Sequence, residues 1–345
     1  MFMSMRNGIA LASASRSGML AAVAILILAG GTAAQAASTI VFDVPGATAT
    51  EPDAINDSGT ITGTFFKPRT HTHGFVRAAD GTFKVFGVKG AGDVENATFP
   101  VGINGRGFIA GTYHGADKVM HGFVRSPHGR FTLFDVSGAL YTEPTGIDDA
   151  GAIAGQYRDG NGIEHGFVRA PDGTIASFDV SGAAQLAVGP MNGKGEIGGW
   201  YTATSGAAYG FVRSVDGTVT TYDVDGQGAT YSAGVGGAGA TTGFYNHGND
   251  QSGFIRKADG TIVTFDAHGA YATEGTAVNT AGAVTGAFYP DTGGEHAFLR
   301  AKSGNVTVID VSGESLNFPV GINKPGAVVG DCYDGNGIHG FIRTP

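Results

Sequence analysis

The chain has 345 residues and contains 60 glycines, while charged residues make up only 15% of it. Glycine is thus roughly 17% of the chain, against about 7% in an average protein. Because a glycine inside a helix costs about 1 kcal/mol relative to alanine, this composition excludes a helical bundle. Hydrophobic residues make up 42%, which excludes a chain disordered by composition. The composition therefore indicates short strands joined by many turns.

The first 36 residues have the features of a secretory signal peptide. Arg6 and Arg16 supply positive charge, an apolar run follows from 19 to 29, and 34–36 form an A-x-A cleavage site. The apolar run of about 11 residues is shorter than the ~20 that a membrane-spanning helix needs. We therefore expect cleavage after Ala36 and a secreted protein, extracellular or periplasmic, with no membrane span after cleavage. An uncleaved anchor is the alternative.

Charge and cysteine content limit the partners and the sources of stability. Cleavage removes two arginines, so Lys+Arg falls from 21 to 19 against 30 Asp+Glu, which leaves the mature chain near −11. This acid excess repels phosphate backbones and argues against nucleic acid as a partner. Cys332 is the single cysteine, so an intrachain disulfide is excluded. Stability must come from packing and strand pairing, and we expect a monomer.

Seven copies of one pentapeptide, of the type His-Gly-Phe-Val-Arg, recur along the chain. The copies are His73–Arg77, His121–Arg125, His165–Arg169, Tyr209–Arg213, Ser252–Arg256, His296–Arg300 and His339–Arg343. Their central phenylalanines lie 43 to 48 residues apart. A period of about 40–50 residues is typical of a propeller, a helical solenoid or an array. Residues 37–345 are therefore predicted to form one repeat domain.

Each repeat carries further signals that predict four short strands. An Asp-Gly turn follows the arginine, as at Asp172-Gly173, and predicts a tight hairpin because glycine accepts a positive φ. A strand ending in Phe-Asp-Val comes next, then a run ending in Ile-Asn that follows small residues, then a strand that reaches an aromatic residue. No stretch after residue 36 shows a 3.6-residue apolar period, so helical repeats are excluded. Four strands per repeat of about 44 residues predict an all-β fold, a seven-bladed β-propeller of four-stranded blades.

The two ends of the repeat domain predict how such a ring would close. The chain after residue 36 begins with a Phe-Asp-Val strand at 39–44 and ends just after a His-Gly-Phe strand at 338–343. Each of these strands lacks a partner in its own part of the sequence. Pairing them completes the seventh blade and removes two exposed edges, which are sites of aggregation. We therefore predict closure by the N- and C-terminal strands, with an open solenoid or stacked array as the alternative.

The repeats resemble those of the bacterial extracellular HAF-repeat family, which is named for a His-Ala-Phe signature. His296-Ala297-Phe298 matches the signature literally, four copies carry glycine in the middle, and Tyr209 and Ser252 replace the histidine in the other two. The resemblance covers nearly all of residues 39–345. It implies an exported protein, and it implies no particular reaction or ligand.

The repeated His, Asp and Arg residues are predicted to be structural. A metal ion needs ligands that converge within about 2–2.2 Å, whereas the histidine copies lie on different blades. Buried polar groups must be paired, so these side chains are expected to bond within and between strands. Cys332 stands where other copies mostly carry an aromatic residue, which predicts a packed thiol. The Asp-Gly-Asn-Gly segments at 159–162 and 334–337 match only the start of a calcium loop and are interpreted as turns. We assign no catalytic residue, metal site or cofactor.

Function is expected where the copies differ, on the loops of one face of the ring. Acids mixed with aromatics occur in the loops that lead into the Ile-Asn strand and in those that precede the His-Gly-Phe strand. The candidate ligand-binding rim consists of Glu51, Tyr141, Glu143, Glu164, Trp200, Tyr231, Tyr271 and Glu274. The same loops carry Lys67, Arg69, His71, Glu95, His114, Arg158, His247, Asp250, Asp291, Glu295 and Glu314. Such residues suit a glycan, whose sugar faces stack on rings, and they also suit a protein partner.

Three classes of function remain open at this point. The leading prediction is an exported, non-catalytic binding or interaction module for a glycan or protein at the cell surface. The second is a glycan-active hydrolase or lyase, which needs two carboxylates about 5–9.5 Å apart. The third is a purely structural surface or matrix protein. No G-x-S-x-G, H-E-x-x-H or phosphate-binding glycine loop occurs after residue 36, which favours the binding module over the enzyme.

Overall fold

The computed structural model describes residues 37–68, 72–89, 97–291, 293–311 and 316–345. The predicted signal peptide, 1–36, lies outside the described residues, as do the loop candidates Arg69, His71, Glu95 and Glu314. The described ranges contain 28 β-strands and no helix, so the all-β prediction is confirmed. Within those ranges, no helix is long and apolar enough to cross a membrane.

The strands are grouped into units of four by their hydrogen bonding. Unit 1 contains β2 (Ala49–Ile55), β3 (Ile61–Phe66), β4 (His73–Arg77) and β5 (Phe83–Phe86). Unit 2 contains β6 (Thr98–Ile103), β7 (Ile109–His114), β8 (Met120–Arg125) and β9 (Phe131–Phe134). Unit 3 contains β10 (Tyr141–Ile147), β11 (Ile153–Arg158), β12 (Glu164–Arg169) and β13 (Ile175–Phe178). Unit 4 contains β14 (Ala183–Met191), β15 (Ile197–Ala203), β16 (Ala208–Arg213) and β17 (Val219–Tyr222).

The second part of the chain repeats this order. Unit 5 contains β18 (Thr230–Val235), β19 (Thr241–His247), β20 (Asp250–Arg256) and β21 (Ile262–Phe265). Unit 6 contains β22 (Ala272–Val278), β23 (Val284–Tyr289), β24 (His296–Arg300) and β25 (Val306–Ile309). Unit 7 contains β26 (Leu316–Ile322), β27 (Val328–Tyr333), β28 (Ile338–Thr344) and, from the other end of the repeat domain, β1 (Ser38–Phe42).

Consecutive strands within a unit pair antiparallel, so units 2, 3 and 4 are separate four-stranded sheets. Single parallel bridges, Ile338↔Ala49 and Gln251↔Ala272, join unit 7 to unit 1 and unit 5 to unit 6. In unit 3, for example, β11 pairs with β10 on one side and with β12 on the other. In unit 7 the fourth place is taken by β1, which pairs with β28 from Ser38↔Thr344 to Phe42↔Gly340. The first and last strands of the described chain therefore meet in one antiparallel ladder, as the sequence predicts for them.

The first strand of each unit contains a bulge and lines an axial cavity. The pairing register shifts at one equivalent place in every first strand. In unit 3 it shifts between Pro144 and Gly146, so Thr145 has no partner in the ladder, and we call this place the bulge position. A bulge adds one residue to one strand of the pair and bends it. The small residues that precede the Ile-Asn sequence, Ala54, Gly102, Gly146, Ala277 and Gly321, line a cavity of about 240 Å³ to which all seven units contribute. Small side chains thus occur where the units come closest together.

The central phenylalanine of each pentapeptide forms the core of its unit. Phe75, Phe123, Phe167, Phe211, Phe254, Phe298 and Phe341 are all completely buried. Full burial of such a side chain contributes about 1.5–3 kcal/mol relative to exposure. Phe167 also meets the ring of Phe134 from unit 2 edge to face, with centroids 6.2 Å apart. The same residue therefore holds its own sheet together and packs against the neighbouring one.

The arginine that ends the pentapeptide lies over an aromatic ring from the preceding unit. The pairs are Arg77–Phe42, Arg125–Phe86, Arg169–Phe134, Arg213–Phe178, Arg256–Tyr222 and Arg300–Phe265, at 4.6 to 5.0 Å from the ring centroid. Such a contact contributes about 0.5–2 kcal/mol. In several copies, Arg169 among them, the guanidinium donates to the carbonyl of the next residue, while its buried Nε has no partner in the described part. The expected pairing of the arginine is therefore correct only in part, because stacking on a ring is its main contact.

The second residue of the pentapeptide is glycine or alanine according to the size of the side chain that covers it from the paired strand. Gly166 pairs with Phe178, whose ring lies over the glycine, so a Cβ at Gly166 would overlap that ring. The same arrangement occurs at Gly74, Gly122, Gly210, Gly253 and Gly340. In unit 6 the covering residue is Ile309 instead of an aromatic, and Ala297 pairs with it. The literal His-Ala-Phe copy thus occurs in the unit that lacks the covering ring.

We predict that Gly166→Ala destabilises the protein by about 1–3 kcal/mol, the usual effect of overpacking a core. Adding Phe178→Ile should restore part of this loss, because it recreates the Ala297–Ile309 pair of unit 6. Chemical denaturation of the wild type, the two single variants and the double variant measures the coupling between the positions. If the double variant loses the full sum of the single losses, the steric explanation is wrong.

Candidate functional site

Four of the eight predicted rim residues occupy one equivalent position in the first strands. Glu51, Glu143, Tyr231 and Glu274 each lie two residues before the bulge position of their strand. The other units have Phe99, Ala187 and Phe318 at this position. Residues two apart in a strand point to the same side, and the bulge positions line the axial cavity. These seven side chains therefore surround one mouth of the cavity, which we call the axial mouth, and they differ from unit to unit.

A cleft of about 320 Å³ lies between units 3 and 4. Unit 3 contributes Gln156, Arg158, Gly162 and Glu164, and unit 4 contributes 184–187 and Trp200. Trp200 is half-buried and pairs across the strands with Ala187. Because alanine has a short side chain, it covers little of the neighbouring indole. We call this site the Trp200 cleft.

The polar wall of the Trp200 cleft is held in place by hydrogen bonds. Glu164 accepts a bond of 2.5 Å from the Tyr141 hydroxyl and bonds of 2.8 and 2.5 Å from Nε and Nη2 of Arg158. Arg158 and Glu164 are direct partners in the ladder between β11 and β12. Burial and the nearby Glu164 carboxylate raise the pKa of the Tyr141 hydroxyl far above its ordinary value. Tyr141 therefore keeps its proton and holds Glu164 as an acceptor at physiological pH.

Further contacts join the Trp200 cleft to the axial mouth. Gln156 Nε2 donates to Glu143 Oε2 at 2.8 Å, and Gln156 Oε1 accepts from the backbone N–H of Val188 in unit 4 at 3.0 Å. On the other side, Trp200 meets Tyr231 of unit 5 edge to face, with centroids 5.1 Å apart. The structure thus brings five of the predicted rim residues together around this cleft: Tyr141, Glu143, Glu164, Trp200 and Tyr231.

Tyr271 and Glu274 lie at a second cleft, of about 270 Å³, between units 5 and 6. Tyr271 lines this cleft and is 48% exposed. Glu274 accepts a hydrogen bond of 2.8 Å from Gln251, which also lines the cleft. The loop candidates His247, Asp250 and Asp291 lie there as well. The predicted rim is therefore divided between separate places rather than being one continuous site.

Glu51 belongs to a group of four acids from units 6, 7 and 1, which we call the acidic group: Glu51, Asp53, Glu295 and Asp331. Burial raises the pKa of all four carboxyl groups, and repulsion between neighbouring carboxylates raises the pKa of Asp53, Glu295 and Asp331 further. The pKa of Asp331 reaches about 7. Asp331 pairs with Phe318, so it lies beside the axial mouth. Asp331 thus holds its proton well above pH 4, near which an ordinary carboxyl group releases it.

Asp53, Gln156 and Asp331 were not predicted. They lie within strands, and so do all the predicted rim residues except Tyr271, which corrects the expectation that the rim lies in loops. A usable signal was present in the repeat alignment. Asp53 lies at the bulge position, where units 3 and 6 have threonine. Gln156 and Asp331 lie opposite the residues of the axial mouth. Differences between copies within strands were therefore as informative as those in loops.

Two further loop candidates lie against their own units. Lys67 Nζ is 5.4 Å from the centroid of the Phe65 ring in unit 1. The His114 ring packs edge to face against Phe99 in unit 2, with centroids 5.9 Å apart. Neither of these contacts belongs to the Trp200 cleft.

The repeated histidine has a structural contact, as predicted. In units 2, 3, 6 and 7 its Nδ1 lies 2.7 to 3.0 Å from the aspartate of the Phe-Asp-Val sequence, in the pairs His121–Asp135, His165–Asp179, His296–Asp310 and His339–Asp43. Cys332 is buried, and its Sγ lies 3.6 Å from the backbone oxygen of His339, as expected for a packed thiol. In the part of the chain that the structure describes, no three His, Cys, Asp or Glu side chains are placed to hold a metal ion.

Solved structures show which fold these units form. The propeller domain of the Trilobed protease from Pyrococcus furiosus, described as having an open velcro topology, matches 86% of this chain and 95% of its own, with a TM-score of 0.63 and 9% identity. Puromycin hydrolase matches with a TM-score of 0.58 and 9% identity, over 84% of this chain and 52% of its own. The chain therefore has a β-propeller fold.

A third solved structure is similar to the chain over most of its length. Acylaminoacyl peptidase from Pyrococcus horikoshii has a TM-score of 0.56 and 10% identity, over 87% of this chain and 52% of its own. This chain thus spans about half the length of each of the two larger hydrolases. Neither a protein-family model nor a curated protein matches the sequence. At such low identity the likeness concerns the fold and does not extend to activity.

We predict that Asp331→Asn makes the protein more stable than the wild type at pH 8 but not at pH 4. Unfolded aspartate has a pKa near 3.9, whereas folding raises the pKa of Asp331 to about 7. The wild type therefore loses stability as the pH rises through this interval, and asparagine, which does not titrate, avoids that loss. Urea denaturation of both proteins at several pH values measures the difference.

The matched control is Asp334→Asn, three residues away. Hydrogen bonds from Asn336 lower the pKa of the exposed Asp334 to about 2. Its stabilising effect is therefore present above about pH 4 and is lost as the pH falls towards 2. The stability difference between wild type and this variant should shrink at low pH, which is the opposite trend. Parallel pH profiles for Asp331→Asn and the wild type would refute the assignment.

Proposed function

We propose that the seven units are the blades of one closed ring. The support comes from the axis, where the asparagine of the Ile-Asn sequence donates its Nδ2 hydrogen to a backbone oxygen of the next unit. These bonds run from Asn56 to Asn104, from Asn104 to Asp148, from Asn192 to Gly236 and from Asn279 to Asn323, at 2.8 to 3.1 Å. The backbone N–H of Asp149 bonds to the oxygen of Gly193 at 3.2 Å in the step from unit 3 to unit 4.

The same contact joins the last unit to the first. Asn323 Nδ2 donates to the oxygen of Asn56 at 3.1 Å, and the N–H of Lys324 donates to Asp57 Oδ1 at 2.8 Å. Residues from all seven units line one further axial cavity of about 390 Å³. The propeller of the Trilobed protease is described as open, so the proposal of closure rests on the contacts of this chain.

A mature chain that begins at residue 45 instead of 37 tests closure. Without β1, β28 has an unpaired edge, and the buried side chains of Phe42 and Val44 are lost from the core. We expect a fall of several degrees in melting temperature and a loss of cooperativity in unfolding. Ile40→Thr, at a position that is 49% exposed, serves as the control and should change stability by less than about 0.5 kcal/mol. An unchanged melting curve for the shortened chain would refute closure.

We propose that the protein is an exported, non-catalytic binding module with a glycan ligand in the Trp200 cleft. Export follows from the predicted signal peptide and from the resemblance to the HAF-repeat family, and both extracellular and periplasmic locations agree with it. One observation supports this ligand class: the indole of Trp200 lies beside a wall of fixed hydrogen-bond donors and acceptors, formed by Arg158, Glu164 and Gln156. A sugar presents an apolar C–H face together with hydroxyls that both donate and accept. The cleft offers a matching surface for each.

The size of the cleft favours a small ligand over a protein. A volume of about 320 Å³ lies in the range of about 300–1,000 Å³ that is typical of small-molecule sites. A stable protein–protein interface buries more than about 1,000 Å² and needs a broad complementary patch. A glycan of one or two sugar units therefore suits the cleft better than a folded partner does.

The contacts of the two carboxylates favour binding over catalysis in this cleft. Glu164 already accepts hydrogen bonds from Tyr141 and Arg158, and Glu143 accepts one from Gln156. Both carboxylates are thereby fixed as acceptors. A glycosidase needs one carboxylic acid that delivers a proton to the leaving oxygen, and neither residue is arranged for that role.

A glycan array probed with the mature protein, 37–345, tests the proposed ligand class. Isothermal titration with the best array glycan then compares Trp200→Ala, Glu164→Gln and the wild type. We expect each substitution to weaken binding at least tenfold, because the first removes the stacking surface and the second alters the fixed acceptor. Mass spectrometry of the exported protein locates its N-terminus, which should be Ala37.

Tyr157→Phe is the matched control for these variants. The Tyr157 hydroxyl bonds to Ser177 at 2.9 Å, away from the residues that line the cleft. This variant should bind the glycan as the wild type does. If no glycan on the array binds, or if Trp200→Ala binds normally while its circular dichroism is native, the proposal is wrong.

A further inference from the structure

Unit 1 places a carboxyl group where units 3 and 6 have a hydroxyl donor. At the bulge position, Thr145 Oγ1 donates to the oxygen of Gly189 at 2.8 Å, and Thr276 Oγ1 donates to the oxygen of Pro319 at 2.8 Å. Both bonds join one unit to the next. Asp53 occupies this position in unit 1, and an ionised carboxylate can only accept. The threonine that joins units 3 and 6 to their next units is therefore replaced in unit 1 by an acid.

One carboxyl oxygen of Asp53 lacks a partner, as does one oxygen of Glu295, whose carboxyl group accepts a hydrogen bond from Tyr289. Asp53 Oδ2 and Glu295 Oε1 are buried and accept no hydrogen bond from any described group. Asp53 also lines the axial cavity. A buried oxygen without a partner costs about 1–3 kcal/mol, and more when it is charged. Such a group requires an explanation, and a bound ligand that supplies the missing donor is one.

The surroundings of the acidic group indicate which ligand would fit. The groups that set the carboxyl pKa values of Asp53, Glu295 and Asp331 include other carboxylates and no described cation. Apart from Asp53, Thr145 and Thr276, the residues that line the cavity are glycine, proline, methionine or aliphatic residues, with Ala54, Val101 and Val320 in unit 1 and the two units beside it. Aliphatic side chains beside a buried carboxyl oxygen without a partner suit an aliphatic stem that ends in a cationic head.

We propose that the acidic group and the adjoining axial cavity form a binding site for a primary alkylammonium group. The cation supplies up to three N–H donors, one of which would bond to the buried oxygen of Asp53, while the alkyl stem would lie against the aliphatic side chains of the cavity. A metal ion is a poorer fit, since no three of the described carboxylates, histidines or cysteines are placed to ligate one. A free diamine and a lysine side chain of a peptide share this chemistry.

Isothermal titration at pH 8.5 with two amines and their neutral analogues tests the proposal. The probes are 1,5-diaminopentane and N-acetyl-lysine methylamide, and the analogues carry an acetyl group on each free amine. Both amines should bind, and the analogues should not. Preference for the diamine identifies a small free amine as the ligand, and preference for the lysine derivative identifies a peptide side chain.

Binding should weaken at pH 5.5, because Asp331, with a pKa of about 7, is then protonated. The weakening should be reduced in Asp331→Asn, which carries no charge at either pH. At pH 7, binding should release protons, and the measured enthalpy should therefore depend on the ionisation enthalpy of the buffer. Binding of equal strength at both pH values would overturn the proposal.

Asp53→Thr separates binding from folding, because it introduces the residue that units 3 and 6 carry at this position. We expect this variant to melt at a higher temperature than the wild type and to bind the amines at least tenfold more weakly. Asp225→Asn, which removes one negative charge from an exposed loop of unit 4, should bind as the wild type does. A destabilised Asp53→Thr would mean that Asp53 is structural, and unchanged binding would mean that the site is elsewhere. Failure of either kind leaves the glycan proposal untouched, because the Trp200 cleft contains none of these residues.

Discussion

One contact, an aromatic ring packed between a glycine of its own unit and an arginine of the next unit, stabilises both the single sheets and their packing against each other. In unit 3, Phe178 covers Gly166 of the neighbouring strand, and Arg213 of unit 4 lies on the same ring. The first part of the contact closes the four-stranded sheet, and the second joins one sheet to the next. The ring of Phe42, from the first strand, meets Arg77 in the same way and so connects the two ends of the described chain. Six of the seven units supply such a ring.

This contact explains two unusual features of the composition. The ring can approach the paired strand only where there is no Cβ, so the repeat needs a glycine in nearly every copy. A second glycine in each unit, such as Gly155, lies against the backbone oxygen of the first strand and the ring of the central phenylalanine. Because strand pairing and packing then provide the stability, the fold can do without disulfides.

A scaffold of equal units leaves function to the positions at which they differ. Trp200 and the Glu164–Arg158 pair occur only at the junction of units 3 and 4. Asp53 and Asp331 occur on the other side of the axis, around the junction of units 7 and 1. The two proposed sites therefore lie at different junctions between units and differ in their chemistry. One offers a ring with balanced donors and acceptors, and the other offers unpaired negative charge.

The candidate site could be predicted only in part. Acids and aromatics in loops pointed to Tyr141, Glu164 and Trp200, and the structure places these around one cleft. The separation of Tyr271 from them could not be foreseen, because loop residues from different repeats have no fixed distance in sequence. Gln156 was missed for a related reason, since its importance comes from bonds to Glu143 on the next strand and to the backbone of the next unit.

The sequence by itself determined the period, the four strands of each repeat and the all-β class, because turn chemistry and strand patterning are local properties. It also indicated that the first and last strands would pair, since both are left over from the repeat. Only the tertiary structure decided which unit lies beside which differing residue, where the carboxylates meet and which of their oxygens remain without partners. Those properties arise from contacts between residues far apart in the chain, and burial and charge repulsion exist only once the units are packed together.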